Sequence, residues 1–416
     1  MRFATLQQWL DWQETLHPSP MDLGLERVAA VHARLFGAPL PCPVITVAGT
    51  NGKGSTVAML EAILRAAGYR TGAYTSPHLF RYNERVRLDG APVDDATLCR
   101  AFAAVDAARG DTTLTYFEFG TLAALWCFHR AAPEAVILEV GMGGRLDAVN
   151  VVDPDVAVIT TVDLDHVEWL GRDRETIAGE KAGILRRGRP AVSSDPDTAA
   201  AIVETAAALD APLYRLGVDY RVRERDDGAW DWLGPDGRAR HALPLPALRG
   251  AHQVRNAAGA LMALALLADR LALPQAAVRE GLQALRLPGR LQVEPGSPAV
   301  VYDVAHNPQA ARTLAAALAA MGGGPLHAVL AMYADKDIQG VTAPLLPLVE
   351  HWHLAPLPPP RGASAGDLAR VLAAAGARCS EYASVAAAVA AARAAAPASG
   401  RVVVFGSFQT VEAAAS

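Results

Sequence analysis

The sequence has 416 residues, 51% of them hydrophobic and 19% charged, with a formal net charge of −5. This describes a globular chain long enough for two or three domains, and it sets aside a broad basic footprint for nucleic acid. The four cysteines, Cys42, Cys99, Cys127 and Cys379, are scattered without a C-x-x-C pair, which speaks against a structural zinc site and a disulfide framework and suits a reducing cytosol.

The opening stretch MRFATLQQWLDWQETLHP contains no signal-peptide h-region, and no uncharged apolar run reaches the ~18 residues that cross a bilayer. A cytoplasmic protein with no membrane partner is expected. The first strand candidate is PVITVAG, residues 43–49. It leads into STVAMLEAILRAAG, where Val57, Leu60, Leu64 and Ala67 keep helical spacing and Gly68 stops the helix. TGAYT (71–75) reads as a short strand. AVILEVG (135–141) and DVAVITTVD (155–163) are near-continuous Val/Ile runs, the pattern of strands buried on both faces of a parallel sheet. After LPGRLQ (287–292) the pattern restarts: AVVYDVA, LHAVLAM, HWHLAPL and RVVVFGS alternate with Ala-rich helices. The expectation is an α/β protein: a P-loop ATPase domain with a mostly parallel sheet over 1–286, a linker over 287–295, and a smaller Rossmann-like α/β domain over 296–416.

Between the first strand and its helix lies TVAGTNGKGST, Thr46 to Thr56. It departs from G-x-x-x-x-G-K-[ST], because Val47 stands where the first Gly belongs and Gly54 separates Lys53 from the nearest hydroxyl. The context is still that of a phosphate loop. Gly49, Gly52 and Gly54 would let backbone N–H groups approach phosphates at a helix N-terminus. Lys53 would neutralise β/γ-phosphate charge, and Ser55 or Thr56 would offer a hydroxyl to a metal. An ordinary Gly-rich turn is the plainer alternative. Ligands of open α/β sheets gather at the carboxyl ends of the strands. Ser76 follows TGAYT, Glu139 ends AVILE, and His166 follows VAVITTVDLD beside Asp163 and Asp165. A carboxylate with phosphate oxygens and water suits Mg²⁺, and an imidazole ligand admits Mn²⁺. Singly, each has a plainer role: Ser76 as a turn cap before Pro77, Glu139 as a partner of Arg145, His166 as a hydrogen-bonded side chain beneath Trp169. Behind a phosphate loop, together, they point to a metal site.

The ordered run VAGTNGKGST, TSPHLFRYNERVRLDG, LTYFEFGTLAAL, ILEVGMGGRLDAVN, DHVEWLG, GEKAGILR, LPGRLQ and DVAHNPQAA closely resembles the bifunctional dihydrofolate synthase/folylpolyglutamate synthases, Mur-ligase-like amide ligases. The likeness extends from DLGLERV (22–28) to FGSFQTV (405–411). It implies that Asn51, Gly52, Lys53, Gly54, Ser55 and Thr56 hold ATP phosphates, with Asn256, Arg290, Asp303 and His306 also at the nucleotide. It further implies Ser76, Glu139 and His166 as ligands, with Ser55, of Mg²⁺ at two sites, Mn²⁺ being an alternative. Lys181 matches a lysine that the family carries as a carbamate; a plain salt-bridging lysine is the alternative from sequence. Asn307 would line the same cleft as His306, or serve simply as a turn residue before Pro308. Thr115, Tyr116 and Phe117 match the dihydropteroate-binding stretch, although aromatic residues there also suit a core. DLGLERV would close over that pocket. Lys53, Lys181 and His166 would be the catalytic side chains.

What the resemblance implies chemically is ATP-dependent activation of a carboxylate as an acyl phosphate and attack by the amine of L-glutamate. The acceptors would be 7,8-dihydropteroate and the γ-carboxyl of reduced folates. Partners would be small molecules only, and the protein a monomer. The run Arg81, Arg85, Arg87 could attract acidic folate tails or be a solvated loop. Three rivals stand beside this reading. One is a folylpolyglutamate synthase alone. Another is a Mur ligase acting on a nucleotide-linked muramyl peptide, disfavoured because only 48 residues precede Gly49, short of a domain of ~100 residues. The third is a non-catalytic P-loop switch.

Overall fold

The computed structural model describes residues 2–19 and 21–415. The chain separates into two compact units, Met1–Ala247 with Val254–Leu285, and Leu248–Gln253 with Arg286–Ser416. The first unit is built on the strands β1 (Val44–Ala48), β2 (Thr71–Tyr74), β3 (Val86–Leu88), β4 (Ala91–Pro92), β5 (Ala135–Glu139), β6 (Val156–Ile159), β7 (Ala191–Ser193) and β8 (Leu213–Arg215). They form one eight-stranded sheet in the order β4-β3-β2-β5-β1-β6-β7-β8. Pairing is parallel from β2 through β8, and β3 and β4 add an antiparallel edge. β1, β2, β5 and β6 are buried along their whole length, as expected of Val/Ile runs covered on both faces. Register places Val47 opposite Glu139 on one side and Ala48 opposite Ile159 on the other. The carboxyl ends of β5, β1 and β6 therefore lie side by side.

The helix Lys53–Ala66 buries Val57, Leu60, Ile63 and Leu64 and packs closely on Gln275–Ala284. A Cβ on Gly281 would come 2.6 Å from the Cα of Ile63, so glycine there permits backbone contact between the two helices. On the other flank, Asp95–Arg109 and Tyr116–Ala131 pack together, with the N-terminal helices Leu6–Thr15 and Glu26–Leu35 against them. The aromatic residues Trp9, Phe102, Phe119 and Phe128 are buried in that layer.

One element was not legible as a strand set. β9 (Arg221–Glu224), β10 (Trp230–Leu233) and β11 (Ala239–Leu243) make a separate three-stranded antiparallel sheet. Its centre is the fully buried Asp231, which accepts from the Ala242 backbone N–H and pairs with Arg223.

The second unit contains β12 (Gln292–Glu294), β13 (Ala299–Tyr302), β14 (Leu326–Leu330), β15 (Val349–Leu354), β16 (Cys379–Glu381) and β17 (Arg401–Phe405). They form a six-stranded sheet in the order β12-β13-β17-β14-β15-β16. It is parallel apart from β12, which lies within the stretch read as a linker and pairs antiparallel with β13. One face carries Leu330, Trp352, Leu354, Val403 and Phe405 into the core. On the other, His327, His351 and His353 form a cluster. The His327 Nδ1 lies 3.1 Å from the His353 Nε2, and the His353 Nδ1 lies 3.0 Å from the Tyr382 hydroxyl. Among the described residues, no helix is long and apolar enough to cross a membrane.

Candidate active site

β1 ends at Ala48 and the chain turns through two glycines with positive φ, Gly49 at 150° and Gly52 at 92°. Gly49 is required for space as well as conformation. A Cβ there would lie 1.8 Å from the Thr160 hydroxyl, which instead donates to the carbonyls of Ala48 and Asn51 at 3.1 and 2.8 Å. Thr50 fixes the other side of the turn. Its N–H donates to the Thr161 carbonyl at 2.7 Å and its hydroxyl to the Asp163 carbonyl at 2.9 Å. The loop is thus laced to the end of β6. Gly52 precedes the helix Lys53–Ala66, and no side chain caps that helix. Its first amides and the positive end of its dipole are arranged for an anion. Lys53 donates from Nζ to the carbonyls of Gly49 and Thr50, at 2.9 and 3.2 Å. Ser55 and Thr56 are buried, and the Thr56 hydroxyl is a buried oxygen with no hydrogen-bond partner.

The neighbouring strand ends bring two of the predicted residues together. The buried Glu139 carboxylate accepts from the Ser76 backbone N–H at 3.2 Å. Arg145, offered from sequence as the plain partner of Glu139, instead pairs with Glu180 at 2.8 Å. His166 follows β6 in a left-handed conformation, φ 50°, and its N–H donates to the Asp165 carboxylate at 2.9 Å. His166 is half-buried, and Trp169, three residues on, is 47% exposed. Among the described residues, no three His, Cys, Asp or Glu side chains form a metal-binding group. Ser76, Glu139 and His166 offer one hydroxyl, one carboxylate and one imidazole, a mixed hard set that suits Mg²⁺ or Mn²⁺ when phosphate and water complete the shell. The partnerless Thr56 hydroxyl beside Ser55 agrees with a polar ligand at this end of the loop.

Behind the loop is a charged cluster whose weight was not legible in the sequence. Lys181, on the helix Arg174–Ala182, is buried, and its amine is pushed down to about 7, first by burial and then by Lys53. Asp165 and Asp147 act in the opposite direction. Asp147 is also buried, and burial pushes its carboxyl up to about 6 against the backbone N–H groups of Met142, Val149 and Gly141 and the charge of Lys53. Those amides explain GMGGRLD: Asp147 accepts from Met142 at 2.8 Å and from Val149 at 3.0 Å, folding the loop after β5. Gly144 lets that loop lie on the Lys181 turn, since a Cβ there would stand 2.9 Å from the Glu180 carbonyl. A lone Asp after a Gly-rich loop carries no sequence signal of this kind, because its partners are main-chain atoms.

Asn256 is buried on the helix His252–Leu266, and its side-chain oxygen would be 2.7 Å from a Cβ on Gly52. It therefore lies against the loop. Thr115 caps Tyr116–Ala131 in a reciprocal pair with Glu118. Tyr116 meets Tyr82 edge-on at 5.7 Å, and Phe117 lies against Gly141 of the loop after β5. Arg27 of DLGLERV donates to Glu118 at 3.0 Å, which ties that stretch to the same helix start. The basic run divides. Arg81 pairs with Asp95 and Arg87 with Glu61, whereas Arg85 lies over the rings of Tyr82 and Tyr116 and donates to the His78 ring. In the second unit, Asp303 accepts from the backbone N–H groups of Leu291 and Ala305, both at 2.8 Å. Arg290 lies over the Phe408 ring at 5.0 Å, and the His306 Nδ1 is 2.8 Å from the Val304 carbonyl. Asn307 caps the helix Pro308–Ala320, the turn role open to it from sequence.

The Mur ligase middle domain matches residues 47–264, and the Mur ligase glutamate ligase domain matches residues 289–408. The dihydrofolate synthase/folylpolyglutamate synthase of Escherichia coli (strain K12) is 47% identical over 411 residues, covering 98% of this chain and 94% of that protein. The structure of E. coli FolC in complex with DHPP and ADP is similar with a TM-score of 0.94 at 46% identity, covering 98% of this chain and 96% of that one. A bifunctional folylpolyglutamate synthase/dihydrofolate synthase with Mn, AMPPNP and L-glutamate bound is similar with a TM-score of 0.90 at 48% identity, covering 98% and 97%. With both Mur ligase domains in order and near-full-length identity of this degree, the chain belongs to the dihydrofolate synthase/folylpolyglutamate synthase family of the Mur ligases.

Proposed function

We propose that this protein is an ATP-dependent ligase that joins L-glutamate to 7,8-dihydropteroate, forming dihydrofolate, and to the γ-carboxyl of reduced folates. The observation that carries the reading is the uncapped helix start at Lys53 behind Gly49 and Gly52, with Ser76, Glu139 and His166 closing the adjacent strands. The named activities of the E. coli relative support the same chemistry.

In this reading Asn51, Gly52, Lys53, Gly54, Ser55 and Thr56 hold the ATP phosphates, and Asn256, against Gly52, helps seat the nucleotide. By the same resemblance, Arg290, Asp303 and His306 would contact ATP as well. Ser76, Glu139, His166 and Ser55 would hold Mg²⁺ or Mn²⁺, which when bound supplies positive charge to the phosphate oxygens. Thr115, Tyr116 and Phe117 would take the pterin, with ring faces from the two aromatic residues.

The γ-phosphoryl group passes to a carboxylate oxygen of the acceptor and gives an acyl phosphate with ADP. The glutamate amine then attacks the acyl carbon, the tetrahedral adduct expels phosphate, and the amine proton leaves. Lys53 offsets charge on the transferring group, so the chain's contribution is positioning and electrostatics. Lys181 is buried and its amine is pushed down to about 7, so at neutral pH a substantial fraction is the neutral amine that CO₂ can add to. Addition of CO₂ with loss of a proton would give a carbamate, an anion beside Lys53. The deciding experiment is phosphate release from ATP with L-glutamate and Mg²⁺, run with 7,8-dihydropteroate, with tetrahydrofolate and with neither. Release with both acceptors is expected. Release with tetrahydrofolate alone would remove the pterin role of Thr115–Phe117, and silence with both would sink the folate reading.

A further inference from the structure

The helices Asp95–Arg109 and Tyr116–Ala131 and strand β3 border a groove of about 580 Å³ that contains none of the residues of the candidate active site. Half-buried Leu88, Ala103 and Ala131 give it an apolar lining, and Arg100, Arg130 and Trp126 supply the rest of its character. This volume is in the range of small-molecule sites.

Of the guanidinium groups nearby, Arg81, Arg87 and Arg109 pair with Asp95, Glu61 and Asp106, whereas Arg85 has no carboxylate partner among the described residues. Arg100 donates instead to the Thr97 hydroxyl at 2.9 Å, and Arg130 lies over the half-buried Trp126 ring at 5.4 Å. Neither has an ion-pair partner among the described residues, in a chain whose net charge is −5. A guanidinium stacks on a planar ring, as Arg130 does on the indole, and a second guanidinium accepts a carboxylate in fork geometry.

We infer that this groove is a second small-molecule site, for an aromatic ring bearing carboxylates. That is the chemistry of the aminobenzoyl-glutamate part of the acceptors and products of the proposed reaction, and the choice of ligand rests on that reading. The placement matters because both bordering helices begin near the acceptor stretch. Asp95 accepts from Arg81 and Asn83 of the loop after Ser76, and the other helix starts at Thr115–Phe117.

The test is equilibrium binding of p-aminobenzoyl-L-glutamate, which keeps the ring and both carboxylates and lacks the pterin. Four proteins are compared: the wild type, an Arg100→Ala/Arg130→Ala double variant, Trp126→Leu, and Phe117→Ala. The arginines are exposed, and an unchanged thermal midpoint in the double variant confirms that it is folded. The expected result is binding by wild type and by Phe117→Ala, with the dissociation constant raised about tenfold in the double variant, since each partly exposed charge contributes modestly, and raised also in Trp126→Leu. No binding by wild type, or binding removed by Phe117→Ala and untouched by the arginine changes, overturns the inference. Equal groove binding of ADP overturns the aromatic-carboxylate assignment. Phosphate release is measured on the same samples. Turnover without probe binding defeats the groove alone, and groove binding without turnover defeats the acceptor assignment alone.

Discussion

Two turns of the molecule have the same plan and opposite solutions. After β1 the chain passes through Gly49 and Gly52 into the helix at Lys53, and no side chain caps that helix. After β13 it passes through Asp303 and His306 into the helix at Pro308. There Asn307 caps Ala310 at 2.9 Å, and Asp303 takes up two further amides. The second turn closes its helix start with its own side chain, at Asn307. The first has glycine at that position, which offers no cap and leaves room for the close approach of an anion.

The largest expected effect breaks the first turn. Lys53→Met should lower the rate of phosphate release by about 10²–10³-fold, the scale for loss of one preorganised charge donor, with an unchanged thermal midpoint. A variant that retained turnover would separate the loop from the chemistry. Next comes Lys181→Ala, expected to lose turnover while small carboxylates such as acetate restore part of it. Absence of rescue, with activity intact in Lys181→Gln, would leave Lys181 a structural residue.

The third prediction concerns pH. His353 is buried and its ring is pushed down to about 4, by burial first and then by the charges of His351 and His327. A folded value below the unfolded 6.5 means that the unfolded chain binds the proton first, so stability is complete above pH 6.5 and is lost as pH falls toward 4. The loss should grow steadily as the pH falls through that window. Urea unfolding from pH 7 to pH 4 measures it, and His353→Phe should flatten the profile. Smallest is Asn307→Ala, which should cost about 1 kcal/mol for the lost cap and leave ADP affinity at the first turn unchanged. A comparable loss of ADP binding would contradict the contrast between the two turns.

The parts legible in sequence were those with local signals. The Val/Ile runs of β1, β5 and β6 and the glycines between β1 and its helix can be read directly, because period, length and φ requirements are properties of a few adjacent residues. That Ser76, Glu139 and His166 stand at or beyond the carboxyl ends of β2, β5 and β6 could be read the same way. The sheet of β9 to β11 escaped because Asp231, at its centre, is polar, and its burial is explained by partners brought in by the fold, Arg223, Arg225, His241 and a main-chain amide. Asp147 escaped for a related reason, since its burial and its main-chain partners leave no local trace, whereas Lys53 was named from the loop and Lys181 from the family resemblance.

The loop after β6 has a practical consequence for anyone who wants to watch this enzyme. Of its seven tryptophans, Trp9, Trp230, Trp232 and Trp352 are buried and Trp12 and Trp126 half-buried, whereas Trp169, three residues from His166, is 47% exposed. Iodide will therefore quench chiefly Trp169. The quenchable part of the intrinsic emission is thereby a label-free optical reporter of that loop.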